Sequence, residues 1–406
     1  MVKIPAFEVE QWMDKYETTP GVLNISETCA SSITLEQLVQ LNSQKDAAPL
    51  FDLSARMTYG AILGSDGLRR NIADTYRDEN EPGATSPVSP EDVIVTQGAI
   101  SANYLVFYSL IGPGDHVICV FPTYQQLYAV PESLGAEVSL WKLRAEDNYV
   151  PDVAQLSALI KSNTKMIVIN NPNNPTGATI PGAVLSQIVN IAKAYDLILF
   201  SDEVYRPLFH SLPPSCLAPP SVLSLPYPRT LATSSMSKAW ALAGIRVGWA
   251  ATRDRALAAR LALARDYTTI SVSQLDDRVA RYALCASSSV RPRLLARNLA
   301  LARANLALLE RFVESYADIC DWVRPTAGTT ALVRFRSRRG GGEPVDDVEF
   351  CKDLLDKTRV MLVPASKCFG NGTDFRGYVR VGYVSETEVL REALEGLGAY
   401  VAENLA

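Results

Sequence analysis

A lysine attacks carbonyls only as its neutral amine, and loss of hydration among apolar groups raises that neutral fraction. Lys238 stands in such a setting, within Ser234-Ser-Met-Ser-Lys-Ala-Trp-Ala-Leu-Ala-Gly-Ile-Arg-Val-Gly-Trp249, just after a strand-like run. The expectation is a dehydrated lysine whose pKa falls; the plain alternative is a surface charge at a strand end. Three further segments carry reactive side chains. Asn170-Asn-Pro-Asn-Asn-Pro-Thr-Gly177 follows an apolar run, and its prolines fix a turn that projects asparagines into the crevice where α/β proteins bind ligands. Ser201-Asp-Glu-Val-Tyr205 ends another such run with two acids and a phenol, and an acid there needs a cation or hydrogen-bond donors. Thr96-Gln-Gly-Ala-Ile-Ser-Ala102 turns from strand to helix through Gly98, and free N–H groups at a helix start can hold a phosphate. Taken singly, each also reads as an ordinary turn.

Elements that could position these residues follow from the apolar pattern. Strands are expected at 93–96, 116–121, 137–143, 165–170, 197–201, 229–233 and 246–251, several of them apolar at consecutive positions, as strands buried on both faces should be. Helical stretches such as 152–161 and 181–194 lie between them, the pattern of an α/β protein with a mostly parallel sheet. The character changes near residue 287. Leu295, Leu299, Ala302, Leu306, Leu309 and Val313 then recur at spacings of four and three, the stripe of a long amphipathic helix, with Arg293, Arg297, Arg303 and Arg311 on its solvated face. Strands at 330–336, 360–364 and 378–383 mix with helices at 346–357 and 386–404 beyond it. The reading is a large domain over 51–286 and a smaller α+β domain built from 1–50 and 287–406. Arg338-Arg-Gly-Gly-Gly-Glu-Pro344 reads as a surface loop.

Composition removes several function classes. The 406 residues are 48% apolar, enough for a large core, and Lys plus Arg (39) fall short of Asp plus Glu (44), with no basic block to track nucleic acid. Seven scattered cysteines without a C-x-x-C pair fit reduced, buried thiols and a cytoplasmic setting rather than a disulfide framework or zinc site. With His116 and His210 the only histidines, a histidine-based metal centre is not expected, and His116 reads as a strand-entry residue. No apolar run reaches the ~18 residues of a membrane helix, and the start lacks a signal-peptide core.

Together the segments, in this order, resemble the class I/II aminotransferases, pyridoxal-phosphate-dependent enzymes of fold type I, over about residues 51–383. The similarity implies an α/β fold with a seven-stranded, mostly parallel sheet plus a smaller α+β domain. It implies that Lys238 forms a Schiff base with pyridoxal 5'-phosphate and shuttles a proton, while Asp202 pairs with the pyridine nitrogen. Asn174 and Tyr205 would hydrogen-bond the 3-oxygen, and Tyr124, in Phe121-Pro-Thr-Tyr124, would stack on the ring. The phosphate would take the turn at Gly98 with the N–H groups of Ala99 and Ile100, the hydroxyls of Ser235 and Ser237, and the Arg246 fork. Tyr59, in Tyr59-Gly-Ala-Ile-Leu-Gly64, matches the tyrosine that relatives lend to a neighbouring subunit, which implies a homodimer. Arg380, in Tyr378-Val-Arg-Val-Gly-Tyr383, matches the clamp on the α-carboxylate of an amino-acid substrate. Trp240 and Trp249 read as packing residues.

The match departs from the family at Leu23-Asn-Ile-Ser-Glu-Thr-Cys29, where relatives carry a Gly-Glu-Pro-like turn over the substrate: Glu27 is in place, Ser26 and Thr28 are not. That stretch is similar to the Leu-Ala-Glu-Asn turn of aminocyclopropane-carboxylate synthases, and the opening Phe7-Glu-Val-Glu-Gln-Trp-Met-Asp-Lys-Tyr16 to capreomycidine synthases. The implied activity is transfer of an amino group from an amino acid to a 2-oxo acid. Elimination, replacement or cyclisation on an amino acid is the alternative.

Overall fold

The computed structural model describes residues 3–43, 49–77, 87–338 and 341–406. Seven strands form the main sheet: β1 (Val93–Thr96), β2 (His116–Phe121), β3 (Glu137–Lys142), β4 (Thr164–Asn170), β5 (Ile198–Asp202), β6 (Thr230–Ser235) and β7 (Gly248–Ala251). Their spatial order is β1-β7-β6-β5-β4-β2-β3, parallel except for β7, which runs antiparallel to both neighbours. Every residue of β2, β5 and β6 is buried. Side chains alternate across a strand, and the two apolar clusters show it. Val117, Cys119 and Phe121 enter one cluster while Ile118 and Val120 enter the other, so helices cover both faces.

Register sets the site. Asn170 lies beside Asp202, and Asp202 beside Thr233, so β4, β5 and β6 end at one level. The three reactive segments therefore leave the sheet side by side, at the carboxyl edge where such sheets hold ligands. Helix α1 (Glu8–Tyr16) and helix α2 (Gly98–Leu110) border the same edge.

A second, antiparallel sheet joins Cys320–Trp322, Thr330–Ser337, Tyr378–Gly382 and Val363–Pro364. The amino-terminal segment is pinned to this half. Leu23–Asn24 pairs in parallel with Val360–Met361, and the Trp12 indole donates to the Leu362 carbonyl at 2.9 Å. The expected single strand at 360–364 is two short pairs, because Val360–Met361 binds Leu23–Asn24 and Val363–Pro364 binds the strand carrying Arg380.

The long helix α3 (Val290–Ser315) is present and buries Ala302, Leu306, Leu309 and Val313 as expected; its first turns are rotated from expectation. Val290, Leu294, Asn298 and Ala302 face the core, while Leu295 and Leu299 are half-buried. Arg293, Arg303 and Arg311 are exposed, as expected, although Arg303 also donates to the His210 carbonyl at 3.0 Å; Arg297 departs from the solvated face, half-buried and donating to the Ser31 carbonyl at 2.9 Å. Within 338–344, Arg339 and Gly340 lie outside the described residues; Glu343–Pro344 is a short strand beside Arg336 and Ser337. Trp240 and Trp249 are buried, and His116 opens β2 with its ring bonded to Thr164 and Ser139.

Candidate active site

A cavity of about 580 Å³ opens at the carboxyl edge of the main sheet. Lys238, Asp202, Tyr205, Asn174, Tyr124, Ala99, Ile100, Ser235, Ser237, Arg246, Arg380 and Glu27 all line it. Gly98 lies at its rim. Tyr59 is placed elsewhere: it is 80% exposed and borders a separate surface cleft with Val272 and Gln274.

Close backbone approach builds one end of the cavity. Gly248 opens β7 against the start of α2, where a Cβ would come within 2.3 Å of the Gly98 carbonyl carbon. Gly98 has φ +78°, and a Cβ there would meet the Arg246 guanidinium at 2.9 Å. No side chain caps α2, so its first N–H groups are left for another acceptor. Ser235 and Ser237 lie nearby, with the Ser237 N–H donating to the Ser235 Oγ at 3.1 Å. Uncapped N–H groups, two hydroxyls and an arginine fork make a site for a dianion.

Asp202, at the end of β5, is buried with neutral donors alone: Asn103 Nδ2 at 2.9 Å and the Val204 N–H at 3.1 Å. Burial therefore pushes its carboxyl pKa up, and a cationic ligand atom would reverse that. Asn103 sits inside α2, held by the Thr233 hydroxyl at 2.6 Å. A buried asparagine in a mostly apolar helix had no clear signal in the sequence, since its partner lies 99 residues away. Tyr205 is buried, with its phenol pushed up by desolvation. The half-buried Tyr124 ring lies 4.9 Å from that of Phe7, and its hydroxyl donates to Glu10 at 2.8 Å.

Lys238 corrects the expectation of a depressed pKa. Burial does act to lower it, but nearby negative groups (Cys29, Tyr205 and Glu27) outweigh that, and the ammonium is held above its usual range. The Glu27 Oε1 lies 3.8 Å from the Lys238 Nζ and accepts from the N–H groups of Thr28 (2.6 Å) and Cys29 (3.0 Å). Although burial opposes it, Lys238 and these two donors bring the Glu27 pKa down to about 2. Lys238 also donates to the Thr28 hydroxyl and lies 3.3 Å from the Cys29 Sγ. Cys29 thus departs from the expectation of buried thiols, as does the exposed Cys216. Thr28 stood out in the sequence only as a departure from the family's turn, and Cys29 not at all, since they reach Lys238 across more than two hundred residues.

Arg380 lies beside the same turn. It is 3% exposed, donates to the Ser26 carbonyl at 2.9 Å and the Asn174 side chain at 3.4 Å, and packs on the Phe369 ring. Its Nε has no partner, and no carboxylate among the described residues pairs with it. A buried guanidinium without an anion is costly and marks a place for one. Gly382, two residues on, lets the Ser26–Thr28 backbone come against this strand: a Cβ would sit 1.8 Å from the Glu27 carbonyl oxygen. Among the described residues no cluster of metal-binding side chains occurs, and no helix is long and apolar enough to cross a membrane.

Residues 24–397 match the family described as aminotransferase class I and II. Over 318 residues the chain is 31% identical to capreomycidine synthase of Streptomyces vinaceus, across 78% of this chain and 75% of that protein. It is 30% identical over 365 residues to an aspartate/prephenate aminotransferase of Thermus thermophilus, covering 86% and 85% of the two chains. The crystal structure of a PLP-dependent aminotransferase from Streptococcus suis superposes with a TM-score of 0.87 at 37% identity, over 99% of each chain.

Proposed function

Since the chain belongs to the class I and II aminotransferases, we propose that it moves an amino group between an L-amino acid and a 2-oxo acid, with pyridoxal 5'-phosphate carried on Lys238. The observation that carries this is the convergence of one lysine, one buried acid, one anion cradle and one unpaired buried arginine on a single cavity. The residues suit the cofactor. Arg246, Ser235, Ser237 and the start of α2 would hold its phosphate, and a side chain at Gly98 would obstruct that cradle. Asp202 would meet the ring nitrogen, Asn174 and Tyr205 the 3-oxygen, and Tyr124 a ring face. Bound there, the cofactor supplies an electron-withdrawing ring that stabilises negative charge at the substrate Cα.

The chain's own groups then divide the work. Arg380 orients the α-carboxylate and so fixes which Cα bond is exposed. Asp202 keeps a positive charge at the ring nitrogen. Lys238 carries the proton to and from Cα, and Glu27 with Thr28 sets when that proton leaves. Borohydride treatment of the holoenzyme, followed by peptide mass mapping, should place the reduced adduct on Lys238; an adduct on another lysine overturns the assignment. Untreated holoenzyme given an amino donor alone should yield one equivalent of 2-oxo acid per site.

A second reading keeps the nitrogen and eliminates, replaces or cyclises. It is favoured by the Ser26–Cys29 turn, which places a hydroxyl and a thiol on the Lys238 Nζ where relatives have a Gly-Glu-Pro-like turn. Repeated turnover of one amino acid without an oxo-acid acceptor would make this reading the correct one.

We also place 51–286 as the large domain, with 1–50 and 287–406 as the small one, and the enzyme in the cytoplasm as a homodimer. The exposed apolar row of Leu53, Met57, Tyr59 and Ile62 supports a subunit contact near Tyr59, which would bring that phenol to the partner's phosphate site. Sedimentation of the holoenzyme tests the dimer.

A further inference from the structure

The cavity has more acid than its proposed chemistry consumes. Glu10, Asp14, Glu17, Glu27 and Asp202 line it, against Lys238, Arg246 and Arg380. In the reading above, Arg246 meets the phosphate, Arg380 the α-carboxylate and Asp202 the ring nitrogen, while Glu27 already faces Lys238 at 3.8 Å. Glu10, Asp14 and Glu17 are left over. Among the described residues none of the three has an ion-pair partner.

These three are not scattered. Positions 10, 14 and 17 are spaced by four and three, which puts them on one face of α1 and its first residue beyond. Val9, Trp12 and Met13 anchor the helix in the core, and Glu8 pairs with Lys367 at 3.4 Å, so the acidic face has a fixed aim. Glu10 is held in place by the Tyr124 hydroxyl at 2.8 Å. The buried Arg380, with its unpartnered Nε, lines the same cavity. A ligand anchored there by a carboxylate would extend toward a negative wall, in a cleft that concentrates cations.

We propose that the substrate of this site is an amino acid whose side chain ends in a cation, a guanidinium or an ammonium, and that Asp14 and Glu17, with Glu10, read that charge. The proposal rests on the aminotransferase-site reading. An acidic side chain would meet repulsion and no spare cation; an apolar one would gain nothing from the three carboxylates, which face water.

Two measurements on the holoenzyme test it. In the first, arginine, lysine, ornithine, leucine, glutamate and aspartate are mixed singly with the enzyme, and the change in cofactor absorbance is followed. The cationic donors should respond at the lowest concentrations. In Asp14→Asn/Glu17→Gln their kcat/KM relative to leucine should fall about tenfold or more, through KM, on the scale of a charge-assisted hydrogen bond. The second measures equilibrium binding of unreactive 5-guanidinopentanoate, hexanoate and adipate by calorimetry. The guanidino acid should bind tightest, and should lose that lead in the double variant. A response to leucine or glutamate with none to the cationic donors overturns the specificity while leaving the enzyme reading intact. Silence toward every amino acid overturns both. Equal losses for all ligands in the double variant would mean that α1 supports the site without reading charge.

Discussion

Lys238 shows how one distant residue can reverse a local inference. Its sequence neighbours are small and apolar, which argues for a neutral amine; the fold instead brings Cys29, Tyr205 and Glu27 to it, and together they raise its pKa. The lysine, the acid and the asparagine turn were legible because each motif is contiguous and ends a strand. Thr28, Cys29 and Asn103 were not, because what gives them meaning is contact across the fold. Glu27→Gln removes one of the three groups that raise the Lys238 pKa, after Cys29 and Tyr205, so desolvation gains ground. The rate at which apoenzyme captures pyridoxal 5'-phosphate should therefore reach its plateau at lower pH, by about one unit or more; an unchanged profile would deny Glu27 this role. Asp202→Asn keeps the Asn103 and Val204 neighbourhood but loses the charge at the ring. Cofactor should still bind, and turnover should drop ~10³-fold, the scale of a lost preorganised charge. Near-normal turnover would contradict the role.

Elements meet at this site through missing side chains. Gly248 lets β7 lie against the start of α2, and Gly382 lets the Ser26–Thr28 turn lie against the strand that carries Arg380. The sequence showed these glycines within motifs, and the main-sheet strands stood out because burial on both faces leaves unbroken apolar runs. Short pairings of two residues, such as Leu23–Asn24 with Val360–Met361, have no such signature. The contact at Gly382 has a direct test. Gly382→Ala forces a Cβ to within 1.8 Å of the Glu27 carbonyl oxygen, so the turn must retreat. Overpacking of this kind costs about 1–3 kcal/mol. The variant should melt earlier, retain cofactor, and show KM raised for every amino acid, because Ser26 no longer seats Arg380. An unchanged melt with unchanged KM would mean that the two elements move independently.

At the scale of the molecule, one buried histidine ties three regions that surround the site. His210 follows the Asp202–Tyr205 segment; its Nε2 lies 2.9 Å from the Tyr383 hydroxyl and 3.1 Å from the Gly328 carbonyl of the second sheet, and its own carbonyl accepts from Arg303 of α3. Burial lowers its pKa to about 4, with the positive charges of Arg303 and Arg324 acting in the same direction against the Gly328 hydrogen bond. In the unfolded chain the same ring titrates near its ordinary ~6.5. Between those values the unfolded state binds a proton that the folded state refuses, so stability is whole above ~6.5 and drains away as pH falls toward 4. From pH 7 to pH 5 the loss should be about 2 kcal/mol from this residue alone. Urea unfolding of the protein and of His210→Asn at both pH values measures it. The variant starts less stable, because Asn reaches fewer of the three partners, but the gap should narrow by about 2 kcal/mol at pH 5, since Asn has no proton to gain. A gap that stays constant would show that the ring takes up its proton as readily in the folded protein as in the unfolded chain.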